Sequence, residues 1–91
     1  MSKLERQLTI CNKLGLHARA ATKLAVLAAQ FDAQVTLIQG DKQASAASVL
    51  GLLMLETGFG KTITVTSEGQ DAQAALDAIS ALIDAKFEEA V

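Results

Sequence analysis

The stretch Ala18-Arg19-Ala20-Ala21-Thr22-Lys23-Leu24-Ala25-Val26-Leu27-Ala28-Ala29-Gln30-Phe31 places Ala20, Ala21, Leu24, Leu27, Ala28 and Phe31 at helical spacing. That pattern predicts an amphipathic helix with one buried stripe. The flanking segments have a different period. Before the helix, Leu4 through Ile10 set Leu8 and Ile10 on one side and Gln7 and Thr9 on the other, the mark of a half-buried strand. The polar turn Asn12-Lys13-Leu14-Gly15 closes it. After the helix, Asp32 breaks the pattern, and Ala33, Val35 and Leu37 alternate with Gln34 and Thr36 as a second strand. Gln39-Gly40-Asp41 then turns the chain into a short third strand over Lys42 to Ala46.

Ser48 precedes the run Val49-Leu50-Gly51-Leu52-Leu53-Met54-Leu55, which has the length of a short helix with a serine cap. The run is apolar all round, so its side chains cannot all face a small core. Some are expected on the surface, where an apolar patch marks a contact site; a buried helix or a strand is the alternative. Gly58 and Gly60 mark the next turn, and Ile63 and Val65 alternate with Thr62, Thr64 and Thr66 in a β-branched strand. Gly69 leads to Asp71, a good helix N-cap, and Ala72, Ala75, Leu76, Ile79, Leu82 and Ile83 form the stripe of a last helix. The predicted order is βαββαβα. It implies an α+β two-layer open-faced sandwich, a four-stranded, mainly antiparallel sheet covered on one face by three helices.

Ninety-one residues with 51% hydrophobic and 20% charged side chains, no Pro and one Cys fit a single domain over residues 1–91. A chain of this size buries roughly 60–65% of its unfolded surface, which leaves no room for a large internal cavity and puts any chemistry at the surface. Eight Lys and Arg stand against ten Asp and Glu, a net charge of −2, and the cations are scattered along the chain. Nucleic-acid binding, which needs several cations on one face, is not expected. Cys11 has no partner for a disulfide or a Cys-rich zinc site and reads as a half-buried hydrophobe. No carboxylate pair, His/Cys cluster or P-loop pattern is present, so neither cofactor nor metal is expected. The N-terminus has no apolar run of signal-peptide length, and no stretch approaches the roughly 18 apolar residues of a membrane helix. The expectation is a cytoplasmic protein without a membrane partner.

The one histidine, His17, stands where the Gly15 loop meets the first helix, followed by Ala18 and Arg19. A helix N-terminus presents unpaired backbone N–H groups and the positive end of the helix dipole, which together bind anions such as phosphate. Arg19 adds a guanidinium suited to phosphate oxygens. An imidazole ordinarily titrates near pH ~6.5, so near pH 7 much of it is neutral and nucleophilic. These groups suit a phosphoryl group accepted on a ring nitrogen, with its charge held on the amides and Arg19. The plainer alternative makes His17 a polar helix-start residue and Arg19 a solvated charge.

The segments Asn12-Lys13-Leu14-Gly15-Leu16-His17-Ala18-Arg19-Ala20-Ala21 and Ala47-Ser48-Val49-Leu50-Gly51-Leu52-Leu53 resemble the HPr family, histidine-containing phosphocarriers of the phosphotransferase system. The resemblance extends over nearly the whole chain. It implies that His17 is the phosphorylated histidine, Arg19 the phosphate-stabilising arginine and Ser48 the serine opening the second helix. With it, Ala18, Ser48 and the exposed part of Val49, Leu50, Leu52 and Leu53 become the expected docking surface. One departure is Ala20, where the family usually has Pro after the arginine.

Asn12 to Gly15, Phe31-Asp32-Ala33, Leu53-Met54-Leu55 and the tail around Phe87 and Glu88 are similar to the nitrogen-related branch of that family. The resemblance then implies a donor, nitrogen-type enzyme I charged by phosphoenolpyruvate, and an acceptor, nitrogen-type enzyme IIA, in regulation rather than sugar uptake. A transient carrier suits a monomer. Three alternatives remain: a sugar-branch carrier, a small acylphosphatase-like enzyme, and a purely interacting α+β module. The acylphosphatase would need an anion loop and a water-positioning Asn, and Asn12 is the only Asn in the chain.

Overall fold

Period-two and period-3.6 segments alternate along the chain, and the structure, a computed structural model that describes residues 3–89, converts them into two layers. In chain order the elements are β1 (Leu4–Thr9), α1 (Ala18–Ala28), β2 (Gln34–Gln39), β3 (Lys42–Ser45), α2 (Val49–Met54), β4 (Thr62–Glu68) and α3 (Ala72–Asp84). A short turn over Lys86–Glu88 follows. The order is βαββαβα. The sheet order is β1-β4-β2-β3, and every neighbouring pair is antiparallel.

Register follows from burial. Leu8 pairs with Ile63, Arg6 with Val65 and Leu37 with Val65, so Leu8, Ile63, Val65, Val35 and Leu37 share the face that meets the helices. Two polar side chains on that face are satisfied: buried Ser67 donates through Oγ to the Ala72 carbonyl at 2.9 Å, and Arg6 reaches Ser80 Oγ at 2.8 Å and Asp77 Oδ1 at 3.0 Å. The other face carries Glu5, Gln7, Thr9, Gln34, Thr62 and Glu68 in exposed positions. The edge strands are β1 and the four-residue β3, which exposes Lys42 and Gln43.

The helix layer buries Ala20, Ala21, Leu24 and Ala28 of α1, Leu52 of α2, and Ala75, Leu76, Ile79 and Ile83 of α3 in one core with the sheet. α3 lies over β1, β4 and β2, α2 against β3, and α1 against both other helices.

Three sequence expectations are corrected. The first helix ends at Ala28, and Phe31 packs on the core from a turn beyond it. Asp71 does not cap α3 with its side chain; its Oδ2 accepts from Asp32 N–H at 2.8 Å, while its own N–H donates to Asp32 O at 2.9 Å. The two bonds clasp the loops before β2 and α3 together and orient the Asp71 side chain toward Asp32. Leu52, counted with the docking residues, is fully buried. Leu50, two residues earlier on the same short helix, is 69% exposed.

Leu52→Ala is therefore expected to cost about 2–5 kcal/mol of stability through the cavity it leaves. Leu50→Ala should stay within about 0.5 kcal/mol of wild type. Urea unfolding of the two variants checks the assignment, and equal losses would contradict it.

Candidate functional site

The site is built on the loop between β1 and α1. Main-chain bonds tie that loop to the segment before β4: Ile10 N–H to Lys61 O at 2.9 Å, Gly60 N–H to Ile10 O at 2.8 Å and Leu16 N–H to Thr57 O at 2.9 Å. Gly15 takes φ +66°, and a Cβ there would lie 2.6 Å from the Thr57 carbonyl oxygen, so only glycine fits without displacing backbone. Asn12 is fully buried under the loop and donates through Nδ2 to Gly15 O at 2.7 Å and to Glu89 Oε1 at 2.8 Å.

His17 occupies the N-cap position of α1 with extended backbone, φ −82° and ψ 179°, and its side chain makes no capping bond. The first helical bond runs from Ala21 N–H to His17 O at 2.8 Å. The amides of Ala18, Arg19 and Ala20 therefore find no protein acceptor among the described residues. Such a helix start is suited to an anion. Arg19 is exposed and makes no ion pair among the described residues.

The C-terminal turn closes over this helix start. Lys86, Phe87 and Glu88 take φ values of +58°, +55° and +62°, a left-handed run without a glycine. It is held by the buried Phe87 ring and by Lys23 Nζ, which donates to Phe87 O at 2.9 Å and reaches Glu88 Oε1 at 3.2 Å. The run delivers Glu89 Oε1 to 2.5 Å from His17 Nε2, with side-chain exposures of 9% for Glu89 and 27% for His17. Burial pushes the Glu89 carboxyl up, but hydrogen bonds from Asn12 and His17 and the charges of His17 and Lys23 outweigh it and hold the group below the usual glutamate range. His17, Arg19, Lys23 and Glu89 line a cleft of about 510 Å³ that opens to solvent.

Ser48 caps α2, its Oγ accepting from Gly51 N–H at 3.0 Å, and is exposed. Ala18 and Leu50 are exposed as well, whereas Val49 and Leu53 are half-buried against the core. Sequence reasoning missed the role of Asn12, Lys23, Phe87 and Glu89, and the exposure of Leu14, Met54 and Phe59. The single Asn below the Gly15 turn was the one available signal; the tail has no periodicity to read. Among the described residues, no group of three or more His, Cys, Asp or Glu is placed to hold a metal ion, and no helix is long and apolar enough to cross a membrane.

Residues 4–85 match the family model described as "PTS HPr component phosphorylation site". The chain belongs to the HPr family. It is 78% identical over 90 residues to phosphocarrier protein NPr of Shewanella violacea, with 99% of each chain covered. It is 48% identical over 86 residues to phosphocarrier protein HPr of Cupriavidus necator, covering 94% of this chain and 97% of that one. The crystal structure of HPr from Thermoanaerobacter tengcongensis superposes with a TM-score of 0.91 at 33% identity, covering 97% of this chain and 99% of that one. The chain is thus an HPr-type phosphocarrier on the HPr fold.

Because folding lowers the proton affinity of Glu89, its contribution to stability is complete above the ordinary glutamate value of 4.5 and disappears as the pH falls below it, through the lowered folded-state value. Melting temperature measured against pH should show wild type losing this increment in acid. Glu89→Gln should lack it, so that the two curves converge at low pH. Parallel curves would show that the carboxylate contributes nothing.

Proposed function

We propose that His17 accepts a phosphoryl group from an enzyme I charged by phosphoenolpyruvate and passes it to an enzyme IIA, both of the nitrogen type, in a regulatory relay. Residues 1–91 act as one cytoplasmic, monomeric phosphocarrier domain in this reading. The observation that carries it is the coincidence of the one imidazole, three helix amides without protein acceptors and an exposed arginine at the start of α1. These groups supply a nucleophile and a cradle for the developing phosphoryl charge. The 78% identity to a nitrogen-branch carrier favours that branch over sugar uptake. An acylphosphatase-like reaction is disfavoured because Asn12, the only Asn, is buried under the loop with both amide hydrogens engaged.

Docking falls on Ala18, Ser48 and Leu50, with the exposed parts of Val49 and Leu53, while Leu52 belongs to the core. A small apolar patch with a polar rim suits the brief contacts of a carrier.

Incubation with phosphoenolpyruvate and enzyme I, followed by intact mass, should add one phosphoryl group in an acid-labile, alkali-stable linkage. His17→Ala should abolish the gain, and label that persists in that variant would exclude the assignment. Arg19→Ala should slow transfer while leaving melting unchanged, because an exposed charge adds little stability.

Ser48 separates structure from recognition. Ser48→Ala should lose about 0.5–2 kcal/mol with the cap and keep near-normal transfer. Ser48→Asp retains an acceptor for the Gly51 amide and favours the helix dipole, yet adds a charge that must be desolvated when a partner covers Leu50. It should melt near wild type and accept phosphate slowly. An Asp variant that transfers at the wild-type rate would put Ser48 outside the interface.

A further inference from the structure

Two buried acceptor atoms among the described residues lack hydrogen-bond partners, Asn12 Oδ1 and Glu89 Oε2. They belong to the two side chains that converge on His17. The Gly15 carbonyl can only accept, so Asn12 must present its amide nitrogen there; its second N–H then goes to Glu89 Oε1 at 2.8 Å. The same carboxylate oxygen lies 2.5 Å from His17 Nε2. Ionised Glu89 is acceptor-only, and its carboxyl is held below the usual range by these very bonds. The hydrogen between the two residues therefore sits on Nε2. When the ring is neutral, the form that can react, Nδ1 carries the lone pair, and it has no protein partner among the described residues.

Resting on the reading that His17 takes the phosphoryl group, we infer that Glu89 is a positioning residue. Anchored by Asn12, it fixes the Nε2–H tautomer of His17, directs Nδ1 to the incoming phosphorus and balances the charge of the phosphorylated ring. In the forward step the Nδ1 lone pair forms the N–P bond as the bond between phosphorus and the donor protein's leaving atom breaks, its electron pair staying with that atom. The Nε2 proton does not move. The ring gains positive character and faces the Glu89 carboxylate across one hydrogen bond. When the acceptor protein attacks phosphorus, the N–P pair returns to Nδ1 and the ring is neutral again. Glu89 lies beyond the 4–85 span that matches the family model. Lys23 steadies the turn that carries it, and Arg19 and Glu88 line the same cleft.

The test uses the full chain as wild type, Glu89→Gln and Glu89→Ala. ¹⁵N NMR of the imidazole reads the tautomer, single-turnover transfer is followed over a range of charged enzyme I, and melting confirms that each variant is folded. Wild type should show Nε2–H as the dominant neutral form. Glu89→Ala, which removes the acceptor, should show mixed tautomers, whereas Glu89→Gln, whose amide oxygen can still accept from Nε2–H, should keep that tautomer. In both, the maximal transfer rate should fall about tenfold, the scale of one charge-assisted hydrogen bond, with the half-saturating donor concentration unchanged.

Folded Glu89→Ala with the wild-type tautomer, or either folded variant with transfer equal to or faster than wild type, overturns the inference. A loss confined to half-saturation also overturns it, since that would make Glu89 a docking residue. If wild type itself accepts no phosphate in this assay, the phosphocarrier reading of His17 fails. The tautomer arm still reports separately on Glu89 in that case.

Discussion

Gly15 lies where no side chain has room, against the Thr57 carbonyl, and the placement of His17 depends on that contact. With the loop pinned there, Leu16 points into the core and His17 arrives in extended backbone at the head of α1. Its main-chain carbonyl begins the helix, so the ring has no capping duty and is available to meet the C-terminal turn. Asn12 braces the same loop from below, since its amide spans from the Gly15 carbonyl to Glu89. The β1–α1 loop and the C-terminal turn are thereby joined through one side chain.

The cost of that junction is visible in the backbone. Three successive non-glycine residues in the left-handed region carry strain of order 1–3 kcal/mol each and persist only when their surroundings over-determine them. Here the surroundings are the buried Phe87 ring and the Lys23 ammonium on the Phe87 carbonyl. Ala20 marks a second local choice. Where the family usually has Pro, with preset φ and no N–H, Ala20 keeps a backbone donor at the helix start and buries its methyl completely.

The architecture was legible because each long segment states its own period. Val35 and Leu37, Ile63 and Val65, and the stripes of α1 and α3 face inward as their spacing requires. The family motif likewise drew attention to His17 and Arg19. What escaped the sequence has physical reasons. α2 is apolar on every side, so its pattern contains no phase to tell Leu50 from Leu52, and only packing against β3 and α1 decides. Asp71 has the chemistry of a cap, but its carboxylate is bonded to the main chain of a neighbour distant in sequence, Asp32, and makes no capping bond. Glu89 meets His17 across 72 residues of chain, from a tail whose conformation no local propensity favours.

The side of the sheet that the described residues leave uncovered bears on how its strands could pair with another copy. An open sheet with two free edges is a template for strand addition and fibrous association. Here the exposed face is largely threonine, glutamine and glutamate, one edge strand is four residues long with a lysine at its start, and the other alternates charged and polar side chains outward. A second copy approaching either edge would have to desolvate those groups for few main-chain bonds. The outward side chains of β1 and β3 thus oppose pairing of one sheet edge with another.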